Sequence, residues 1–473
     1  MLSSLDVMIV AFYAIALFAL AQWVSREKPG HSKDATDYFL AGKSLPWWAI
    51  GASLIAANIS AEQIIGMSGS GYAIGLAIAS YEWMAAITLI LVGKYLLPVF
   101  LKTGIYTMPQ FLEQRYDHRV KTVMASFWLG VYVFVNLTSI LWLGALAINT
   151  VAGIDLTLGL VLLGFFAMSY SLYGGLKAVA LTDIVQVVLL VAGGLMIAAI
   201  LLEKISGGTG VVAGLVTLME TVPDRFDMIL ATDHPHYMSL PGVSVLIGGM
   251  WVMNVSYWGF NQYIIQRALA AKSVSEAQKG IAFAAFLKLL MPVIVVLPGI
   301  AMYALNAELT SPDQAYPSAM ALLPAGIKGL VFAALLAAIV SSLASMCNSI
   351  STIFTVDLLP SMVSEEWLAR NRLFSGRATA LLAMIIAMVA ARPLLGNFDQ
   401  AFQYIQEFTG FFTPGIVVIF LLGMFWRKAT ATGALLAAVG SAVLSLAMKL
   451  LVPTLPFIDR VGLVFVLCLV LAV

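Results

Sequence analysis

Runs of about 20 apolar residues, separated by short polar stretches, follow one another along the whole chain, and a helix of about that length crosses the hydrocarbon core of a bilayer. The pattern predicts twelve full spans, near residues 5–24, 47–74, 79–101, 122–148, 155–173, 179–202, 243–266, 280–305, 328–358, 377–395, 398–424 and 430–451, and a final run at 461–473 that is too short to cross. One run departs from the rest. Between apolar flanks, the 47–74 segment carries Asn58, Ser60, Glu62 and Gln63, followed by Gly66, Gly69 and Gly71. Polar side chains and glycines at membrane depth fit a helix that unwinds to line a site inside the protein, where freed carbonyls can coordinate a cation or a solute. The alternative is a kinked structural helix whose polar groups are satisfied by its neighbours.

Composition turns the pattern into a class. With 61% hydrophobic and 10% charged residues, against about 45–50% and about 25% in soluble domains, the chain is an all-α polytopic membrane protein, and its short loops fit a single helical bundle. A net charge of +1 gives no hint of a nucleic-acid partner. Cys347 and Cys468 sit in apolar runs, and His31, His118, His234 and His236 lie in connecting stretches; neither set has the spacing of a disulfide framework or a metal centre. The glycine-rich piece from Ser206 to Gly210 lacks the Lys-Ser/Thr pair of a phosphate-binding loop, so the connection at 203–242 reads as solvated, with a short surface helix. The first apolar segment is too long for a signal-peptide core and has no basic start, so it reads as a span.

Lysine and arginine counts orient the bundle. One alternating set of loops, with the span ends beside them, runs from Arg26, Lys28, Lys33 and Lys43 through Lys177 and Arg267 to Arg427 and Lys428, and holds 18 of the 25 basic residues; the opposite set holds 6, and Lys288 lies inside a span. Basic loops stay cytoplasmic, which puts the N-terminus outside.

The residues most costly to bury are the most informative. Glu82 and Lys288 each lie in an apolar stretch, where a charge costs about 2.5–3.5 kcal/mol at a helix centre. Paired across a cavity they would neutralise each other and keep spare oxygens and N–H groups for a neutral polar ligand, with Gln63, Asn254 and Gln406 on the rim; a purely structural ion pair is the alternative. Ser341 and Ser342 offer two neutral hydroxyls within one turn, suited to a monovalent cation if they lie opposite the unwound carbonyls near Ala56 and Ile59, whereas a divalent ion would want carboxylates. Serines in membrane helices also bond their own backbone. Asp183, at the start of a span, fits either a helix cap or a place on an ion exit path. Trp251, Tyr257, Trp258, Phe260 and Tyr263 crowd one span with Asn254, Asn261 and Gln262, and flat rings beside amides suit a pyranose.

At these residues the chain resembles the sodium/solute symporter family, and within it the bacterial sodium/galactose members. The matching stretches are YFLAGKSLP at 38–46, AANISAEQ at 56–63, YEW at 81–83, GFNQYIIQR at 259–267, AIVSS at 338–342 and QYIQ at 403–406, with FWRK at 425–428 near the second family signature. The resemblance implies ten core helices in a five-plus-five inverted repeat, at 47–202 and 243–424, each repeat opening on a broken helix. An extra helix and a cytoplasmic loop would fill 1–46, an external loop 203–242, and extra C-terminal helices 425–473. It further implies sodium held by the carbonyls of Ala56, Ile59 and Ala338 and the hydroxyls of Ser341 and Ser342, with Asp183 on the ion's way inward. The sugar would meet Gln63, Glu82, Asn254, Lys288 and Gln406. Tyr257 would stack beneath it as an inner gate tethered by Asn58, and Met67, Tyr81 and Phe402 would close the outer side. Two features depart from the family: Ala85 stands where similar galactose transporters have a serine, and the chain stops inside its thirteenth helix where they continue to fourteen, so either the sequence is truncated or the final helices are dispensable.

The expected function is sodium-driven import of a neutral sugar, galactose or glucose, through the bacterial inner membrane by alternating access. No nucleophile with its base and no nucleotide loop argues for an enzyme. Another small solute, such as an amino acid, an organic acid or a polyol, is the alternative within transport, although a carboxylate would sit badly beside Glu82. A solute sensor would need a signalling domain that the short loops leave no room for, and a channel would not accumulate solute against a gradient.

Overall fold

The structure, a computed structural model, describes residues 2–25, 44–105, 107–396 and 400–473. His31, residues 38–43 of the first family-like stretch, and Arg26, Lys28, Lys33 and Lys43 of the basic set lie outside the described residues, as does the side chain of Lys177.

The described chain is a bundle of helices: α1 (Ser4–Ser25), α2 (Trp47–Asn58), α3 (Met67–Ala73), α4 (Leu76–Thr103), α5 (Met108–Arg115), α6 (His118–Ala152), α7 (Leu156–Ile205), α8 (Val211–Thr221), α9 (Gly249–Val255), α10 (Gln262–Leu269), α11 (Val274–Ala304), α12 (Ile327–Ile353), α13 (Glu365–Leu395), α14 (Ala401–Gly410), α15 (Thr413–Phe425), α16 (Ala431–Leu451) and α17 (Phe457–Ala472). Among the described residues, seven helices are long and apolar enough to cross a membrane, or nine when two bent pairs each count as one span. The remaining expected spans coincide with α1, the first part of α7 and the broken α9–α10 stretch. At the centre, α7 packs along α12, and α2 against α11 and α7.

The 47–74 helix is broken, and the break has a clear backbone cause. At Ile59 the chain leaves the helical region (φ −72°, ψ 63°), and the N–H of Ser60 donates to Asn58 O at 2.7 Å instead of reaching back to Ala56 O. One wide turn of π-helix (Glu62–Gly66) restarts the chain into α3, bent 60° from α2. The glycines were expected to mark the unwinding, but they lie beyond it and do something else. A side chain on Gly71 would sit 2.7 Å from Val296 O, and one on Gly299 would sit 2.1 Å from Ser68 O, so these glycines let the α3 and α11 backbones touch.

The 243–266 span is also broken, by a π-turn (Ser256–Phe260) and the extended residue Asn261, which caps α10 through its side chain. Three expectations change. Spans 155–173 and 179–202 share one continuous helical backbone in α7, which holds no proline to interrupt it. The span at 398–424 is bent by 49° between α14 and α15, where Pro414 has no N–H to give. The 203–242 connection is more than a solvated loop: α8 does form, but Arg225 donates to the Ala73 carbonyl and lies 3.8 Å over the Tyr303 ring, anchoring the connection onto α3 and α11. Gly207, Gly208 and Gly210 all take positive φ, which is the structural use of that glycine-rich piece.

The close approach of α3 and α11 generates a stability prediction. Gly299→Ala must displace Ser68 O and is expected to cost about 1–3 kcal/mol through overpacking, lowering the melting temperature of the purified protein in detergent. Gly130→Ala, whose new methyl meets nothing within 4 Å, is the control and should leave it unchanged.

Candidate functional site

Two breaks and three polar helices converge on one cavity of about 110 Å³. Glu82 on α4 and Lys288 on α11 are 3% and 1% exposed, and they meet at 2.6 Å between Nζ and Oε2. The other carboxylate oxygen of Glu82 accepts from Gln63 Nε2 at 2.6 Å, and the Lys288 ammonium also donates to Asn58 Oδ1. The network runs on: Asn58 Nδ2 donates to Tyr257 OH at 3.1 Å, and that hydroxyl lies 2.5 Å from Tyr263 OH. Lys288 Nζ also sits 5.1 Å from the centre of the Trp258 ring, a favourable place for a desolvated cation. Charge neutralisation and hydrogen bonding together make burial at this depth tolerable.

All six expected substrate residues, Gln63, Glu82, Asn254, Tyr257, Lys288 and Gln406, line this cavity. Asn254 donates to its own helix at Met250 O, 3.1 Å away, and keeps its carbonyl oxygen for other partners. Of the expected gate residues, Asn58, Tyr81 and Phe402 line the cavity, and the Tyr81 and Phe402 rings meet edge to face at 5.2 Å. Met67 is not on the wall; it is buried, with Sδ 3.0 Å from Gln63 Nε2. Ala85, one turn beyond Glu82, is on the wall. Glu62, named with the polar residues of the broken segment, lines the cavity, and Tyr263, named with the rings suited to a pyranose, extends the network; sequence reasoning gave no site role to Tyr132 or Asn136, which also line the cavity. Asn136 sits mid-span in α6, the same polar-in-apolar signal that marked Asn254.

The hydroxyl pair on α12 divides its attention. Ser342 Oγ lies 3.4 Å from Ala57 O at the end of α2, while Ser341 Oγ donates to Asp183 Oδ1. Consecutive helical residues point about 100° apart, which is why two adjacent serines reach different partners. Ala56 O and Ile59 O are the carbonyls that the break releases, since Ser60 N–H turns to Asn58 O and Gln63 N–H to Ser60 O. Ala338 is buried one turn before Ser342 on the unbroken α12. The carbonyl end of α2 carries the negative end of its dipole, so neutral oxygens and a partial negative charge face each other here, a donor set for a monovalent cation.

Asp183 is not a helix-start residue. It lies deep within α7, fully buried, and accepts from Ser53 Oγ at 2.8 Å as well as from Ser341. Its countercharge is Arg267, 3.8 Å away, which was counted with the cytoplasmic basic residues but is 1% exposed and bonds Ser53, Ser345 and Tyr263 O. The capping reading of Asp183 therefore fails, because the backbone runs helically through it.

Comparison with known proteins agrees with this geometry. Residues 38–440 match the sodium:solute symporter family. The chain is 54% identical over 476 residues to a sodium/glucose cotransporter of Vibrio parahaemolyticus, covering 97% of this chain and 88% of the relative. It is 33% identical to a sodium/myo-inositol cotransporter of Mus musculus, covering 92% of this chain and 65% of that longer protein. Its fold matches, with a TM-score of 0.85 at 22% identity, a sodium-coupled sialic acid symporter in a substrate-bound outward-open state, covering 99% of this chain and 97% of the other. That likeness is one of fold, the five-plus-five inverted-repeat core of this transporter class. With the family match spanning most of the chain and a near full-length relative at 54% identity, the chain belongs to the sodium:solute symporter family.

Proposed function

We propose that the protein is a sodium-coupled secondary active symporter that imports a neutral sugar, galactose or glucose, through the plasma membrane by alternating access. One observation carries the reading: the Glu82–Lys288 pair is buried in a cavity rimmed by Gln63, Asn254 and Gln406, with Tyr257 at its edge. That set presents carboxylate, ammonium and amide groups to several hydroxyls at once and is neutral overall, which suits a sugar and disfavours a free carboxylate. The sodium/glucose relative supports the same class. The sodium/myo-inositol relative and the apolar Ala85 on the wall favour a second reading, a cyclic polyol, which shares the chemistry of ring hydroxyls.

In this reading sodium sits among Ala56 O, Ile59 O, Ala338 O, Ser341 and Ser342, and leaves past Asp183. The sugar site and the sodium set touch through consecutive residues of the break, because Ala57 O faces Ser342 while the Asn58 side chain holds Lys288 and Tyr257. Sodium that draws the end of α2 toward α12 would thereby set Asn58 for sugar binding, and coupling is that difference in affinity between states. The repeats run from 47 to 202 and from 243 to 424, with 1–46, 203–242 and 425–473 as additions. With the N-terminus outside, Tyr81 and Phe402 form the outer closure, and Met67 lies behind Gln63 rather than in it. The same cavity is lined by Tyr257, Phe127, Trp128 and Ile416.

Lys288→Ala and Glu82→Ala should each abolish transport, since the survivor is left as an uncompensated buried charge, a penalty of about 3–5 kcal/mol in soluble proteins. Galactose affinity on the purified, folded variants should fall with it; unchanged affinity in both removes them as ligands. Ser342→Ala is expected to shift the sodium activation of uptake to much higher concentration while stability drops by only about 1 kcal/mol, and wild-type activation would place the ion elsewhere. Labelled galactose uptake should be inhibited by unlabelled galactose and glucose and poorly by deoxy-sugars, because a site built on hydrogen bonds rejects ligands that leave its polar groups unpaired. Inhibition by myo-inositol but by neither hexose selects the polyol reading.

A further inference from the structure

A separate cavity, of about 440 Å³, lies where the face of α14 turned away from the central cavity meets the last turn of α16 and the start of α17. Its volume falls within the ~300–1,000 Å³ of small-molecule sites. Helix α16 is long and apolar enough to cross a membrane, so its last turn lies near the headgroups of one leaflet, the level to which basic side chains at helix ends reach. Lys449 is in that turn and on the cavity wall. Around it Leu446, Leu450 and Leu451 are exposed, an apolar surface suited to acyl chains.

The wall carries charges of both signs. Glu407 Oε1 accepts from Lys449 Nζ at 2.9 Å and from Arg460 at 3.0 Å. Aromatic rings help to hold both cations in place: Lys449 Nζ lies 5.5 Å from the centre of the Phe408 ring and the Arg460 guanidinium 5.4 Å from that of Phe411. One carboxylate oxygen thus serves two cations, which keep further N–H donors, and among the described residues Glu407 Oε2 has no partner. Gln403, one turn earlier on α14, lines the same cavity, and its side-chain oxygen and nitrogen are both buried without a hydrogen-bond partner among the described residues. An anion alone would meet the Glu407 carboxylate, and a cation alone would meet Lys449 and Arg460. A group that carries both signs a few atoms apart satisfies both: its phosphate oxygens accept from Lys449, Arg460 and the Gln403 amide nitrogen, and its ammonium donates to Glu407 and the Gln403 carbonyl.

We propose that this cavity binds the headgroup of an aminophospholipid, a phosphate joined through two carbons to a primary ammonium, with the acyl chains lying along Leu446, Leu450 and Leu451. The inference does not depend on which solute the central cavity takes. Glu407 follows Gln406 in the chain, so the lipid sits on the helix that presents Phe402 and Gln406 to the central cavity.

Native mass spectrometry of the purified full chain, stripped of lipid in detergent and titrated with single phospholipids, tests it. Wild type should bind one phosphatidylethanolamine per chain at least tenfold more tightly than phosphatidylcholine, whose methylated nitrogen cannot donate, or phosphatidylglycerol, which has no ammonium. Glu407→Gln should weaken phosphatidylethanolamine at least tenfold and erase its advantage over phosphatidylglycerol, whereas Lys449→Gln should weaken all three lipids. Gln403→Met should weaken phosphatidylethanolamine while its melting temperature without lipid stays equal to or above wild type, since it deletes an unsatisfied amide; a purely structural Gln403 would lower it. Absence of bound lipid, equal binding of the three lipids by wild type, or a preference untouched by Glu407→Gln and Gln403→Met overturns the site. Free phosphoethanolamine that displaces the lipid at equal concentration makes the ligand a soluble zwitterion and overturns the lipid.

Discussion

Burying a carboxylate and an ammonium at membrane depth is the constraint on which the site depends. Each would cost about 2.5–3.5 kcal/mol alone at a helix centre, so Glu82 and Lys288 must meet, and their remaining lone pairs and protons must be met in turn. Gln63 and Asn58 do that from the broken helix, and they can reach because the chain between α2 and α3 abandons helical geometry at Ile59. The ion pair and the break therefore require each other: without the break the amides could not converge, and without the pair the break would leave polar groups with no partner.

The same break puts the contact with the α12 serines and the ion-pair network on consecutive residues. Ala57 presents its carbonyl to Ser342 while Asn58 holds Lys288 and Tyr257, so under the proposed function a cation drawn to Ser342 would act on the residue next to Asn58. On the far side of Ser341, the buried Asp183–Arg267 pair ties α7 to α10 and, through Ser53 and Ser345, to α2 and α12. Elements from both repeats are thus bound through side chains that water could not replace without opening the bundle.

Much of this was legible in the sequence because a membrane makes polar residues conspicuous. Glu82, Lys288, Gln63, Asn254 and Gln406 stood out in apolar runs, and all of them line one cavity. What failed to show has physical reasons. Gly66, Gly69 and Gly71 drew attention as chain breakers, yet Gly71 serves a helix contact, and composition cannot separate the two uses of glycine. Arg267 looked like a loop cation because its charged partner is 84 residues away in sequence and meets it only in three dimensions. A cap was one of two readings left open for Asp183, because the two flanking apolar runs gave no sign that one helix passes through both. Tyr132 belongs to a cavity wall that only the folded bundle defines.

The central claim is that sodium and sugar share one network through residues 57 and 58, and the affinity of the purified protein for galactose in sodium and in potassium tests it most directly. By linkage, sodium should tighten galactose binding by the same factor that galactose tightens sodium binding, and Asn58→Ala should reduce that factor toward unity while the protein stays folded. Equal galactose affinity in the two salts, or a sodium effect untouched by Asn58→Ala, would contradict the account.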